Sequence, residues 1–131
     1  MKEIILTIVV LLLTGCLATP PDPVVSIPPP VCKSDTQCDV MWSAAQDWVS
    51  RIGRMQVAHV MPDSIVTFPG VLTDRTTMSG TVIKKPIEGG SYELAAQFKC
   101  LDRQLPCEQL EHSGVNLFNT MVTAAGQGLE H

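Results

Sequence analysis

The residues with the most chemistry in this sequence are five cysteines, Cys16, Cys32, Cys38, Cys100 and Cys107. The last four fall in two pairs, with five residues between Cys32 and Cys38 and six between Cys100 and Cys107. A structural zinc site needs tight spacing such as two intervening residues, and a redox-active dithiol is usually C-x-x-C. Neither pair has that spacing, so no metal and no cofactor is expected. Disulfides are the remaining use, and they require an oxidising compartment. Four cysteines permit three pairings. With Ser34 as a helix N-cap, Cys32 falls near the N′ side and Cys38 at N4, the two places that meet in a hydrophobic staple, which favours local pairing. Cys100 with Cys107 then closes the loop after the last strand. Long closed loops would stabilise more in the chain-entropy picture, so energy alone leaves the crossed pairings open.

Other chemistry is sparse. His59, His112 and His131 are scattered, and no HExxH, GxSxG, P-loop or GxGxxG pattern occurs. His59 lies in a strand-like stretch and reads as an ordinary sheet histidine; His112, beside Glu111, reads as a solubilising residue ahead of the last helix. Asp63, Asp74, Glu88 and Asp102 fall in loops, and their spacing pairs none of them for acid–base work. An enzyme is not expected. The net charge is −4, and Lys84-Lys85 is the main basic cluster, so nucleic acid is excluded as a partner.

Cys16 follows a run of its own kind. Ile4 to Leu13 is uncharged and about ten residues long, too short to span roughly 30 Å of hydrocarbon as a helix, and Lys2 precedes it. It reads as the apolar region of a signal peptide. Leu13-Thr14-Gly15-Cys16 resembles the lipobox of bacterial lipoproteins, in which small residues precede the cysteine that becomes the new N-terminus. The resemblance implies diacylglycerol on the Cys16 thiol, cleavage before it, and N-acylation. Several acyl chains on one residue anchor a protein far more firmly than the reversible hold of a single one. By the enterobacterial sorting pattern of this class, Leu17 in place of Asp implies passage to the outer membrane, with the domain in the periplasm. Loss of Cys16 to lipid also leaves an even number of cysteines for pairing.

Six prolines lie between Cys16 and Cys32. They fix φ, lack amide donors and bias their predecessors to extended backbone, so residues 16–31 read as a semi-rigid tether after a signal peptide at 1–15. In polyproline II such a segment reaches on the order of 45 Å. Serving as a proline-rich ligand for a partner groove is the competing use.

Residues 32–126 carry the folding signals. Ser34-Asp35-Thr36-Gln37 is a capping-box pattern, and Val40, Met41, Ala44, Ala45, Trp48, Val49 and Ile52 recur at helical spacing before Gly53. Trp42 sits at the edge of that stripe. "QVAHVM" and "SIVTF" flank Pro62-Asp63 and read as a hairpin or one bent strand. "TTMSGTVIKK" and "SYELAAQFKC" flank Glu88-Gly89-Gly90 and read as an antiparallel hairpin, with Tyr92, Leu94, Ala96 and Phe98 on its buried face. Val115, Phe118, Val122 and Ala125 predict a last helix from a Ser113 cap to a Gly126 stop. The expectation is a disulfide-stapled, two-layer α+β domain: helix, three to four antiparallel strands, helix. Residues 127–131 form a tail, and because Leu129-Glu130-His131 matches the start of an expression tag, His131 is given no role.

"CKSDTQCDVMWSAAQDWVSR", a β segment and a second cysteine pair together resemble small cysteine-bearing lipoproteins of Gram-negative envelopes without an assigned function. That resemblance transfers no active site. The first expectation is a non-enzymatic, membrane-anchored binding or structural module with an envelope protein as partner; the hairpin around Glu88 to Tyr92 and the Cys100 to Cys107 loop are its candidate contact surfaces, because loops on a stapled scaffold commonly carry recognition. Two other classes remain: an inhibitor or immunity protein against a toxin or cell-wall hydrolase, and a lipoprotein resembling those of type IV secretion outer-membrane cores.

Overall fold

The computed structural model describes residues 25–70, 78–100 and 105–129, with the side chains of the last helix described from Gln109 on. Residues 1–24, and with them the segment expected to be a signal peptide, Cys16 and the first part of the expected tether, lie outside the described residues. A two-residue strand β1 (Val31–Cys32) leads into helix α1 (Asp35–Asp47), which continues as a wider turn over Trp48–Ile52. Strands β2 (Val57–Met61), β3 (Ser64–Thr67), β4 (Met78–Pro86) and β5 (Tyr92–Cys100) follow, and helix α2 (Leu105–Gln127) ends the domain. The sheet is antiparallel throughout, in the order β1-β5-β4-β3-β2. The α+β expectation holds, with five strands instead of three to four.

Ser34 caps α1 as its sequence predicts: its backbone is extended and its Oγ accepts from the Gln37 N–H at 3.1 Å. Gln37 answers one residue further back than in a standard capping box, its Oε1 accepting from the Lys33 N–H at 2.7 Å. Its Nε2 donates to the Gly126 carbonyl at 3.0 Å. Both ends of this buried amide are thereby used, which is what lets a polar residue sit between α1 and α2.

The predicted stripe is right at its centre and wrong at its ends. Met41, Ala45, Trp48 and Val49 are buried, but Val40 and Ile52 are exposed. Val40 lies about 100° around the helix from Met41 and falls off the core face. Beyond Asp47 the Gly53 N–H reaches back five residues to the Trp48 carbonyl, and this wider closure changes the phase and turns Ile52 outward.

Pro62-Asp63 turns β2 into β3, which settles a hairpin over a single bent strand, and the Asp63 carbonyl accepts from the Lys84 N–H at 2.8 Å. Between β4 and β5 the register runs from Met78↔Cys100 to Pro86↔Tyr92. Gly89 and Gly90 both take positive φ in the turn, a conformation that disfavours residues with a Cβ. Leu94 and Phe98 from β5, with Met78 and Val82 from β4 and Ile65 from β3, form the sheet's contribution to the core. Phe98 stacks on Trp48 at 5.2 Å between centroids, and Phe118 of α2 meets Trp48 and Phe98 edge-on at 5.5 and 6.0 Å. Such pairings add roughly 0.5–1.5 kcal/mol each beyond area burial. The α1 helix, the sheet and α2 are thus joined at one aromatic cluster.

Helix α2 starts at Leu105, well before the predicted Ser113. Ser113 is an exposed residue inside the helix, not its cap, and His112 is inside it too. Leu, Glu and Gln sustain helix without an apolar stripe, and Pro106 is tolerated in a first turn, where an N–H has no intrahelical partner anyway. Gly126 is likewise helical and does not end the element; it is a contact point. A Cβ there would collide with Sδ and Cγ of Met41, a side chain buried to 1% exposure. Gly126→Ala would gain about 1 kcal/mol in helix propensity, but overpacking costs typically 1–3 kcal/mol. The clash outweighs the gain. The variant is expected to lower the urea midpoint, and a midpoint raised above wild type would contradict this packing.

Candidate functional site

The densest long-range polar contacts in the described residues gather where the proline segment meets α2. Asn116 uses both ends of its amide on that segment: Nδ2 donates to the Val25 carbonyl at 2.8 Å, and Oδ1 accepts from the Ile27 N–H at 2.9 Å. Asn119 Nδ2 donates to the Ile27 carbonyl at 2.9 Å. The next three residues, Pro28, Pro29 and Pro30, have no N–H to satisfy. The Pro30 carbonyl accepts from the Leu94 N–H at 2.9 Å, and Val31 and Cys32 pair with Glu93 and Tyr92 of β5. Residues 25–32 therefore form an arm laid from the flank of α2 to the sheet edge. The expectation that residues 16–31 stand free as a tether is corrected from Val25 onward, because two asparagines supply the partners that an extended backbone otherwise takes from water.

A disulfide locks the arm's root. Cys32 and Cys38 are bonded, with Cα atoms 5.0 Å apart, joining β1 to the first turns of α1. Both cysteines are buried. This is the local pairing favoured from the sequence. Cys100, in β5, is also disulfide-bonded, and its N–H donates to the Glu111 carboxylate of α2. The Cys107 side chain and residues 101–104 lie outside the described residues, as does Cys16. The backbone at Cys107 is helical, so the loop expected between Cys100 and Cys107 does not extend past Leu105.

The face of the sheet opposite the helices is a second candidate surface. Ser79, Thr81, Gln97 and Lys99 alternate with the buried Met78, Val82 and Phe98 and therefore share that face. With Thr67, Pro69 and Gly80 they line a shallow depression of about 210 Å³. It lies where the β3–β4 ladder stops after Val66↔Thr81 and the Gly80 N–H donates to the Thr67 Oγ1 at 2.8 Å instead. Hydroxyls, one amide and the Lys99 ammonium offer hydrogen bonds to a small polar group. They include no carboxylate or imidazole.

The remaining sequence candidates are dispersed. His59 is exposed on β2, and His112 is exposed on α2 with its Nε2 3.3 Å from the Asn116 Nδ2. The Glu88–Gly90 turn is exposed, and Lys84 lies 4.8 Å from the Tyr92 ring centroid at its base. Among the described residues no group of three His, Cys, Asp or Glu side chains is placed to hold a metal ion, and no helix is long and apolar enough to cross a membrane.

Asn116 and Asn119 were the functional residues that sequence reasoning missed. One signal was present: asparagine is a poor helix former, and two of them three residues apart on a helix imply side chains engaged elsewhere. No family model, curated protein or solved structure matches this chain.

Proposed function

We propose that this chain is a lipoprotein anchored in the outer membrane through lipid on Cys16, with its α+β domain in the periplasm as a non-enzymatic binding or structural module for an envelope partner. The observation that carries this reading is the Cys32–Cys38 disulfide, set in the root of the segment that leads back to Cys16. A structural disulfide fits an exported protein, and the Leu13-Thr14-Gly15-Cys16 sequence gives a use to the odd one of five cysteines. Anchoring would raise the effective concentration of the domain for partners in or near the same membrane. The hairpin around Glu88 to Tyr92, exposed at its Glu88–Gly90 turn and on a sheet braced by a covalent clamp, is the contact surface this reading favours.

The test is mass spectrometry of the N-terminal peptide from membrane-extracted protein, combined with fractionation of a Cys16→Ala variant. A mature N-terminus at Cys16 carrying diacylglycerol and an acyl chain is expected, with the variant lost from the outer-membrane fraction. An unmodified Cys16, or a variant that stays in the membrane, would overturn the anchor. Affinity capture of the lipidated protein then asks whether one envelope protein co-purifies in fixed ratio. If a turnover activity is found instead, the non-enzymatic part of the reading falls.

A further inference from the structure

We propose that the Asn116–Asn119 face of α2 is a releasable docking site for the chain's own proline arm, and that its occupancy sets how far the domain stands from the membrane. The proposal rests on the reading of Cys16 as the lipid anchor.

The arm is held unevenly along its length. At its root, Pro30 is buried, Cys32 is fully buried and disulfide-bonded, and the backbone is paired to β5. Further out, Val25, Ser26, Pro28 and Pro29 are exposed, Val25 to 72%, and only Ile27 is half-buried. Residues 25–27 are thus held by one side chain and three side-chain amide bonds from two asparagines. The weak stretch is separated from the strong one by Pro28 and Pro29, which have no N–H to strand when the outer part lifts away.

Docking also carries a built-in penalty. Asn119 is buried, and its Oδ1 has no hydrogen-bond partner among the described residues. A buried acceptor left unpaired is costly, and release of Ile27, whose carbonyl the Asn119 Nδ2 holds, is expected to admit water to the same amide. The docked state is therefore favoured by its amide bonds and opposed by this acceptor, the balance required of a latch. Every one of the three bonds reads backbone, so the site accepts any extended segment of suitable shape. The chain's own arm, covalently attached, has the highest effective concentration.

The consequence is a tether of two lengths. Val25 follows Cys16 by nine residues and Pro30 follows it by fourteen. At an extended rise of about 3.4 Å per residue, the docked arm reaches at most about 31 Å and the released arm about 48 Å. A partner that engages the domain only at the greater height would shift the arm toward release.

The experiment uses full-length lipidated protein in a supported bilayer, with amide hydrogen exchange resolved at Ile27 and neutron reflectometry for the height of the domain. In the wild type the Ile27 amide is expected to be protected. In Asn116→Ala its exchange is expected to accelerate at least tenfold, with the Leu94 amide and the β4–β5 hairpin unchanged and the domain displaced outward by up to about 17 Å. Asn119→Asp, which replaces the donor facing the Ile27 carbonyl with an acceptor, should do the same. An unprotected Ile27 in the wild type would overturn the docking site. Acceleration that spreads to Leu94 and the sheet would make Asn116 a structural residue, and faster Ile27 exchange with no change in height would overturn the length switch. Absence of lipid on Cys16, read from the same sample by mass, would sink the anchor reading while leaving the Ile27 result to decide docking.

Discussion

Phe118→Ala is expected to destabilise the domain by about 3–5 kcal/mol, the usual range for truncating a fully buried phenylalanine. Phe118 has no exposed surface and is the only α2 residue among the core's stacked and edge-on aromatic contacts, so α1, the sheet and α2 all lose packing at once. Its neighbour Leu117 is 47% exposed, and Leu117→Ala should stay within about 0.5 kcal/mol of wild type. Small single domains are stable by only about 5–15 kcal/mol, so the Phe118 variant should have a visibly lower urea midpoint at 25 °C and unfold at a much lower temperature. Equal effects from Phe118 and Leu117 would mean that α2 presents a different face to the sheet.

The second large effect is expected from the clamp. The chain-entropy relation gives roughly 2–3 kcal/mol for a disulfide closing so short a loop, added to the packing of two buried sulfur atoms. The paired replacement Cys32→Ala with Cys38→Ala should therefore cost about 2–4 kcal/mol, measured by urea unfolding against wild type under identical oxidising conditions. Replacing both cysteines leaves no free thiol at position 32 or 38 to attack other disulfides. The loss should concentrate where the bridge acts. Amide exchange at Leu94, whose partner is the Pro30 carbonyl, is expected to accelerate before the β4–β5 hairpin does, since β1 is only two residues long and has little else to hold it. A uniform acceleration across the sheet would show instead that the bridge stabilises the fold as one cooperative unit and not the arm's root.

Much of this fold was legible because its signals are local. Ser34 and Gln37 mark the start of α1 through a bond between residues three apart. Glu88-Gly89-Gly90 marks the β4–β5 turn because its glycines take positive φ there. The alternation of Leu94 and Phe98 with Gln97 and Lys99 separates the core face of β5 from the open one. Pairing of Cys32 with Cys38 could be favoured in advance because the cap that positions one also positions the other. Each inference needed only a few residues and the period of a single element.

What escaped the sequence depends on neighbours that are distant along the chain. Strand β1 is too short to show a period and exists because β5 has an edge to offer it. The early start of α2 lies in a stretch where helix propensity and the Cys100 N–H bond to Glu111 matter more than any apolar stripe. Gly126 reads locally as a helix stop, yet it lies within the helix, and its lack of a side chain serves Met41, which fills the space a Cβ would take. Asn116 and Asn119 read as surface asparagines until the chain folds back and brings Val25 and Ile27 alongside them across about ninety residues. By itself, then, the sequence determined the α+β class, the start of α1 and the main hairpin, and favoured the local Cys32–Cys38 bridge, because short-range hydrogen bonding and periodicity encode them. Tertiary structure alone decided the course of the proline arm, the limits of α2 and the aromatic junction, because each depends on which distant surface is available to satisfy a backbone group or fill a space.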